Sequence, residues 1–314
     1  MVAVKPLLVV NPHAAGRKSG RAYAAAAEAV DALLGPVDAA FTVRRGHGVE
    51  LARTGAEEGR DLIIAVGGDG TLSEVVNGVM LSSRAGAVRV GLVAQGTGGD
   101  FRRSLGLEHG LSHYLEAIGS GRERPVDVGR LTYRDDDGTT KERFFINIVS
   151  AGLGGLVDRY VASAPAWVPG SIAYYHAALR AIVHCPEARV RSRSVLDGIE
   201  EERVLPAYVV AVCNGAFFGS GMHMAPMARV DDGVFEVVSV TQPKRLKMFQ
   251  KSRTIYTGAH LREPGVVHFS CQSVTLDVED EHHRSRFPLD VDGEPIGGVP
   301  VTVQVLPGAL TLRA

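Results

Sequence analysis

Residues Asp61–Gly78, DLIIAVGGDGTLSEVVNG, decide how the chain is read. The run Asp61–Val66 is almost continuously apolar, as a strand covered on both faces must be. It ends in Gly67, Gly68, Asp69 and Gly70 and passes at Thr71 into a helical pattern reaching Met80. Glycines let the backbone bend sharply and let a ligand approach without a Cβ in the way. The helix start beyond them offers unpaired N–H groups and a partial positive charge, both suited to phosphate. A carboxylate in the middle of such a turn, Asp69, points to contact with magnesium or to acceptance of a substrate proton. The alternative is a tight strand-to-helix turn that Asp69 merely caps. Thr71 and Glu74 have the spacing of a capping box and are read as structural as much as functional.

The pattern recurs after the next strand, in VGLVAQGTGGDFRRSLGL. There Gly96, Gly98 and Gly99 free the backbone, Thr97 offers a hydroxyl, and Asp100 opens the following helix. Two glycine-rich loops at the ends of parallel strands face one crevice. Upstream, a strand at Leu7–Val10, a helix over RAYAAAAEAVDALL, a strand at Phe41–Val43 and a helix at Val49–Glu58 complete a strand–helix alternation. A strand at Val88–Ala94 and helices at Asp100–Ser104 and Leu111–Ile118 continue it, predicting a parallel sheet covered on both faces. After Pro125 short alternating runs such as RFFINIV, ARVRSRSVL and GVFEVVSV dominate, with helical insertions near Gly170–Val183 and Lys244–Thr257. That predicts an α/β nucleotide-binding domain over 1–126 and a mainly antiparallel β-sandwich domain over 127–314.

Composition narrows the function classes. The 314 residues are 45% apolar and carry a formal charge of −1, so nothing in the balance points to nucleic acid. Cys185, Cys213 and Cys271 are scattered and odd in number, without metal spacing or a disulfide framework, which suits a reducing, intracellular setting. The N-terminal apolar run is too short for a signal peptide, and no run approaches a transmembrane segment. Gly16-Arg17-Lys18-Ser19 lacks the first P-loop glycine and has Arg17 at the lysine position. No protein-kinase motif set is present.

Five pieces, in order along nearly the whole chain, resemble the diacylglycerol kinase catalytic-domain family of bacterial soluble lipid kinases, related to sphingosine kinases. They are NPHAAG (Asn11–Gly16), GGDGT (Gly67–Thr71) with Glu74 and Asn77-Gly78 behind it, QGTGGDF (Gln95–Phe101), FFINIVSAGLGG (Phe144–Gly155) and VDGE (Val291–Glu294). GGDGT is shared with NAD kinases; the later pieces decide for lipid kinases. The resemblance implies an N-terminal NAD kinase/diacylglycerol kinase-like α/β domain, a C-terminal sandwich and a cleft between them. It implies ATP and Mg2+ as cofactors and transfer of the γ-phosphate to a hydroxyl of diacylglycerol or a related lipid. Residues matching Asp69, Asp100, Asp127 and Glu294 surround the phosphates, their magnesium and the acceptor hydroxyl. Asn11, Gly67, Gly68, Gly70, Thr71, Glu74, Gly96, Thr97 and Gly98 fall on the nucleotide side. Asp69 and Glu294, near one hydroxyl, are both candidates for the general base.

The segment Arg229–Val234 resembles a structural magnesium site using the Asp232 side chain with the carbonyls of Arg229 and Val234; a plain Asp-Asp-Gly hairpin turn is the alternative. Ser73, Gly99 and Ala94 stand where the family usually has Asn, Asn and Pro. None of these departures removes a carboxylate; they bear on adenine-side contacts. The implied setting is cytoplasmic, with transient association at the inner face of the membrane; a homodimer stays open. The rival functions are an NAD kinase-like enzyme and a non-catalytic lipid-binding protein of the same fold.

Two segments bear on lipid contact. QPKRLKMFQKSRTIY carries Lys244, Arg245, Lys247, Lys251 and Arg253 beside Leu246, Met248 and Phe249 without an acid. It reads as a solvated helix packed on the sandwich or as a patch for an anionic leaflet, at about 1 kcal/mol per cation. Trp167, Tyr174 and Tyr175 read as core or as the wall of a lipid-tail pocket. Glu279–His283 reads as an exposed acidic turn rather than a metal site.

Overall fold

The computed structural model describes residues 6–14, 19–95, 98–165, 170–241 and 252–314. Strands β1 (Pro6–Val10), β3 (Leu62–Gly67) and β4 (Arg89–Ala94) are parallel, with β2 (Asp38–Phe41) on the outer side of β1. Strand alternation sends Leu7, Val9, Ile63 and Ala65 to one face, against helices α2 (His47–Glu57) and α3 (Asp69–Met80). Leu8, Val10, Leu62, Ile64 and Val66 go to the other, against α1 (Ser19–Leu34) and α5 (Leu111–Gly119). The run Asp61–Val66 is apolar throughout because both faces are buried. Each such Leu or Ile contributes on the order of 2 kcal/mol relative to exposure.

Helix α3 begins at Asp69, two residues earlier than its sequence pattern suggests, and Gly68 is its N-cap with no side-chain cap bond. Thr71 is therefore inside the first turn, and the expected capping box does not form. The expected strand at Phe41–Val43 sits a little upstream, as β2. Helix α4 (Asp100–Ser104) follows the second glycine loop, entered through Gly99 at φ 62°.

The remaining strands pair antiparallel. One layer runs β14 (Val266–Cys271), β13 (Phe235–Val240), β10 (Val209–Cys213), β7 (Ile148–Gly152) and β16 (Pro288–Val291). The other joins β6 (Thr140–Phe145), β5 (Glu123–Arg134), β17 (Glu294–Arg313), β15 (Ser273–Val278), β8 (Ala188–Leu196) and β9 (Ile199–Ala207). Leu131, Phe145, Val149, Val190, Val212 and Phe235 are among the side chains buried between the layers. A short hairpin, β11 (Phe217–Phe218) and β12 (Met222–His223), stands apart.

The expected insertion near Gly170–Val183 is α7 (Gly170–His184). Helix α6 (Leu153–Ala162), entered from β7 through Gly152 at φ 98°, is not anticipated by the sequence pattern. Helix α8 (Glu281–Arg284) is one capped turn, Asp280 accepting from the His282 N–H. Of the basic segment, residues 242–251, including Lys244, Arg245, Lys247 and Lys251, lie outside the described residues. Ser252–Thr257 form a short 3-10 turn.

Strand β17 is twenty residues long and belongs to every part of the sheet. Its first half pairs with β16, β5 and β15, and its last residues, Thr311–Arg313, pair parallel with β4. All the long strands therefore form one 15-stranded sheet. The expected division at 126/127 falls inside β5, which follows β17 almost end to end.

Opposite Gly129 of β5 stands Phe145 of β6, its ring lying where a Cβ would be and tilted against Phe235 at 5.3 Å. Gly129→Ala is expected to displace that ring and cost about 2–3 kcal/mol, read as a lower denaturation midpoint. Among the described residues no helix is long and apolar enough to cross a membrane.

Candidate active site

The two glycine loops end neighbouring parallel strands, and Asp69 joins them. Its Oδ2 accepts the Asp100 N–H at 3.0 Å and its Oδ1 the Phe101 N–H at 3.3 Å. The start of one helix thus supplies a carboxylate that caps the start of the other. Gly98 lies against Asp69: a Cβ there would stand 3.3 Å from Oδ2. At Gly70 an added Cβ would meet nothing within 4 Å, and at Gly68 only the Gln95 carbonyl at 3.9 Å. These two glycines are not required by packing; they leave bare backbone open to a ligand. Gly67 is different, since the Thr71 side chain folds back over it. Thr71 Oγ1 is buried without a hydrogen-bond partner. Asn11 ends β1 beside this loop, its N–H donating to the Val66 carbonyl at 3.0 Å and its Oδ1 accepting from the His13 N–H at 3.0 Å. Gly96 and Thr97 lie outside the described residues.

A cavity of about 460 Å3 opens from this point into the sandwich half. Asp69, Gly98 and Asp100 line one end, Asn147 and Asp292 the facing side, and Leu153, Val157, Val209, Met222 and Val266 are among its apolar walls. Asp100 is buried, its Oδ1 accepting from Arg103 at 2.7 Å and its Oδ2 from the Ser220 N–H at 2.8 Å. Burial pushes its carboxyl above the usual range, and the Asp69 charge adds to this, against the Ser220 N–H and Arg103.

Glu294 does not line that cavity. It faces a second one, of about 410 Å3, with Glu74, Asn77, Arg45 and Arg143. Its carboxylate is held by Arg143 at 2.5 Å and Arg45 at 3.5 Å. Asp69 and Glu294 therefore serve adjoining cavities rather than one, meeting at the turn Asp292-Gly293-Glu294. Gly293 lines the first cavity and Glu294 the second. Of that turn's two carboxylates, the one that shares a cavity with Asp69 is Asp292, two residues before Glu294. Glu74 accepts the N–H groups of Gly46 at 2.8 Å and Gly48 at 2.7 Å, fixing the start of α2. Asn77 holds both the N–H and the C=O of Phe144, at 3.0 and 2.9 Å, tying α3 to the end of β6.

Asp127 lies elsewhere. It is buried, with Oδ2 accepting from the Gly233 N–H and Oδ1 from the Gly308 N–H, both at 2.7 Å. It braces the Arg229–Val234 turn against a bulge in β17 and lines neither cavity. In that turn Asp232 Oδ1 accepts the Val234 N–H at 3.3 Å, and Arg229 stands 3.6 Å from Asp231. Burial raises the Asp232 carboxyl, with nearby Asp127 adding to it. Among the described residues no group of three His, Cys, Asp or Glu side chains is placed to hold a metal ion. A magnesium ion needs fewer protein ligands when phosphate oxygens and water complete its shell. Asp69, at the open glycine loop, suits that arrangement.

Two carboxyls of this cavity carry no marker in the sequence motifs. Asp158 of α6 and Asp290 of β16 both line it, and each bears on the other's carboxyl. Burial lifts Asp158 to about 6, against the bond from Asp290 and the charge of Arg45. Burial and then Asp158 lift Asp290 well above the carboxylate range. In the unfolded chain both titrate near 4. Between about pH 4 and pH 6 the folded state binds more protons, so the pair's contribution to stability falls as pH rises through that window. The double variant Asp158→Asn/Asp290→Asn is expected to narrow the difference in Tm between about pH 5 and pH 7.

Comparison with known proteins finds two family matches along the chain. Residues 5–131 match the diacylglycerol kinase catalytic domain. Residues 147–314 match the YegS C-terminal NAD kinase beta sandwich-like domain. The "Probable lipid kinase YegS-like" of Chromohalobacter salexigens is 32% identical over 271 residues, 86% of this chain and 81% of that protein. The diacylglycerol kinase of Bacillus subtilis is 26% identical over 262 residues, 82% of this chain and 79% of that protein. A crystal structure of a diacylglycerol kinase from Bacillus anthracis superposes with a TM-score of 0.69 at 21% identity, covering 100% of this chain and 97% of that one. Yeast NADH kinase, at 10% identity, shares the fold at a TM-score of 0.50, over 99% of this chain and 82% of its own. An α/β half with paired glycine loops, a sandwich half and relatives over most of their length agree: the chain belongs to the diacylglycerol kinase catalytic-domain family, and it is a lipid kinase.

Proposed function

We propose that this protein transfers the γ-phosphate of ATP to a hydroxyl of diacylglycerol or a related membrane lipid. The observation that carries the reading is the form of the larger cavity: apolar walls end on carboxyls from both halves, beside backbone that two glycines leave bare. The apolar part receives the hydrocarbon of the lipid, and its hydroxyl comes to rest at Asp69 and Asp292. The phosphates of ATP lie on Gly68, Gly70 and the start of α3. Glu74, Asn11 and the second cavity, with Arg45 and Arg143, lie on the nucleotide side. Magnesium, when bound, neutralises the charge of the phosphates.

Asp69 is the better placed general base of the two candidates. It lines the lipid cavity, whereas Glu294 is held between two arginines in the adjoining one. The protein meets the membrane transiently from the cytoplasmic side, and the hydrocarbon enters the cavity there. Incubation with labelled ATP and a mixed lipid extract tests the whole reading: one labelled lipid is expected. Label on NAD and none on any lipid would give the activity to a small-molecule kinase instead.

A further inference from the structure

Both cavities are short of positive charge for a reaction that moves a phosphate between them. Among the described residues no Lys or Arg lines the larger one, and in the second Arg45 and Arg143 face Glu74, Glu142 and Glu294. A triphosphate stays anionic with magnesium bound, and its transfer calls for a fixed cation where charge develops. Three arginines are already committed. Arg143 lies 2.5 Å from Glu294 with its side chain 18% exposed, and Arg103 lies 2.7 Å from Asp100. Arg44 meets both oxygens of Glu50, at 2.6 and 2.8 Å. Arg45 differs: it stands 3.5 Å from Glu294, which Arg143 already neutralises, and its side chain is 63% exposed. Its backbone is nevertheless fixed. Glu74 accepts the N–H groups of Gly46 and Gly48, and the Val43 N–H donates to His47 Nδ1 at 3.2 Å. Glu74 belongs to α3, which starts at Asp69, so the loop carrying Arg45 is tied to the helix of the glycine turn.

On the reading that the second cavity takes the nucleotide, we propose that Arg45 is the residue that neutralises the phosphate in transfer, turning from Glu294 onto the γ-phosphate of ATP. Leaving Glu294 strands no charge, because Arg143 stays on it. The position suits the task. Gly293 lines the larger cavity and Glu294 the second, so a cation beside Glu294 stands on the border the phosphate crosses. Its charge is felt beyond that border, by Asp158 in the larger cavity. In the transfer the lipid oxygen bonds to the γ-phosphorus. The bond from that phosphorus to the β–γ bridging oxygen breaks, its electron pair leaving with ADP, and the hydroxyl proton passes to Asp69. Arg45 exchanges neither bond nor proton. Its planar donors match two phosphate oxygens at once, which a lysine cannot do.

The test measures binding of a non-hydrolysable ATP analogue and of ADP, with magnesium and without lipid, to the whole chain and to Arg45→Gln, Arg45→Lys and Arg44→Gln. Phosphate transfer from labelled ATP to lipid is measured separately, and a thermal melt shows that each variant is folded. The unaltered protein is expected to prefer the triphosphate roughly tenfold or more, the scale of hydrogen bonds between charged groups. Arg45→Gln should bring that ratio toward one with ADP binding little changed, and slow transfer by a factor of about 10²–10³. Arg45→Lys should fall between, and Arg44→Gln, which removes the same charge one residue away, should keep the ratio. A ratio that survives Arg45→Gln would overturn the assignment. So would an equal loss of ADP and triphosphate binding, or an equal effect of Arg44→Gln, since each would reduce Arg45 to a holder of the loop or a distant charge. Transfer to no lipid would fail the proposed activity, and the lipid-free binding ratio would still decide Arg45.

Discussion

Asp69→Asn is expected to leave a folded protein whose lipid phosphorylation is slower by a factor of about 10²–10⁴, the usual contribution of one positioned acid–base group. Asparagine is isosteric and keeps one oxygen for the Asp100 N–H, now 3.0 Å from Oδ2. It loses the acceptor that meets the Phe101 N–H at 3.3 Å, a change of about 1 kcal/mol that leaves the helix starts in place. What it removes is the charge and the basicity at the mouth of the lipid cavity. The effect should fall on kcat, with the KM for lipid little changed, since the hydrocarbon walls are untouched. Glu294→Gln should reduce the rate less and act mainly on the KM for ATP, because it frees Arg45 and Arg143 beside the second cavity. A rate for Asp69→Asn close to that of the unaltered protein would remove Asp69 as the base.

The largest structural effect is expected at Asp292. Its Oδ1 accepts the N–H groups of Asn147 at 2.9 Å and Ile148 at 3.1 Å, and its Oδ2 accepts that of Ile146 at 3.1 Å. The residue is buried and sits at φ 53°, a conformation that aspartate tolerates better than alanine. Asp292→Ala strands three buried donors and adds backbone strain, so a loss of about 3–5 kcal/mol is expected. A denaturation midpoint falling at constant slope would show it; an unchanged midpoint would refute it. Asp292→Asn should fall between, because an amide keeps one acceptor and its NH2 opposes a backbone donor. Burial pushes this carboxyl up, against the Ile146 and Asn147 N–H groups, so its bonds also matter to the charge it carries.

Much of the α/β half could be read directly, because buried parallel strands and glycine turns write themselves locally. Asp61–Val66 needs apolar side chains on both faces, and Gly68 and Gly70 stand where bare backbone is needed. Thr71 and Glu74 were harder. Their spacing fits a cap, but the helix starts earlier and Glu74 reaches across to Gly46 and Gly48, far away in sequence. Asp127 shows the same limit: its partners, Gly233 and Gly308, are distant along the chain, and no local pattern reveals them. The VDGE piece drew attention to Glu294, while the carboxylate of that piece that lines Asp69's cavity is Asp292. Asp290 offered one signal, a charge in the otherwise apolar strand Pro288–Val291, and Asp158 offered none in its local pattern.

The last residues of β17 close the parallel sheet against β4. During synthesis, β4 must wait for about two hundred residues of nascent chain before its final neighbour leaves the ribosome. Until then the first half exposes an unpaired strand edge, open to other chains. Removing Thr311–Arg313 should therefore reduce the yield of soluble protein, because it leaves the β4 edge unpaired.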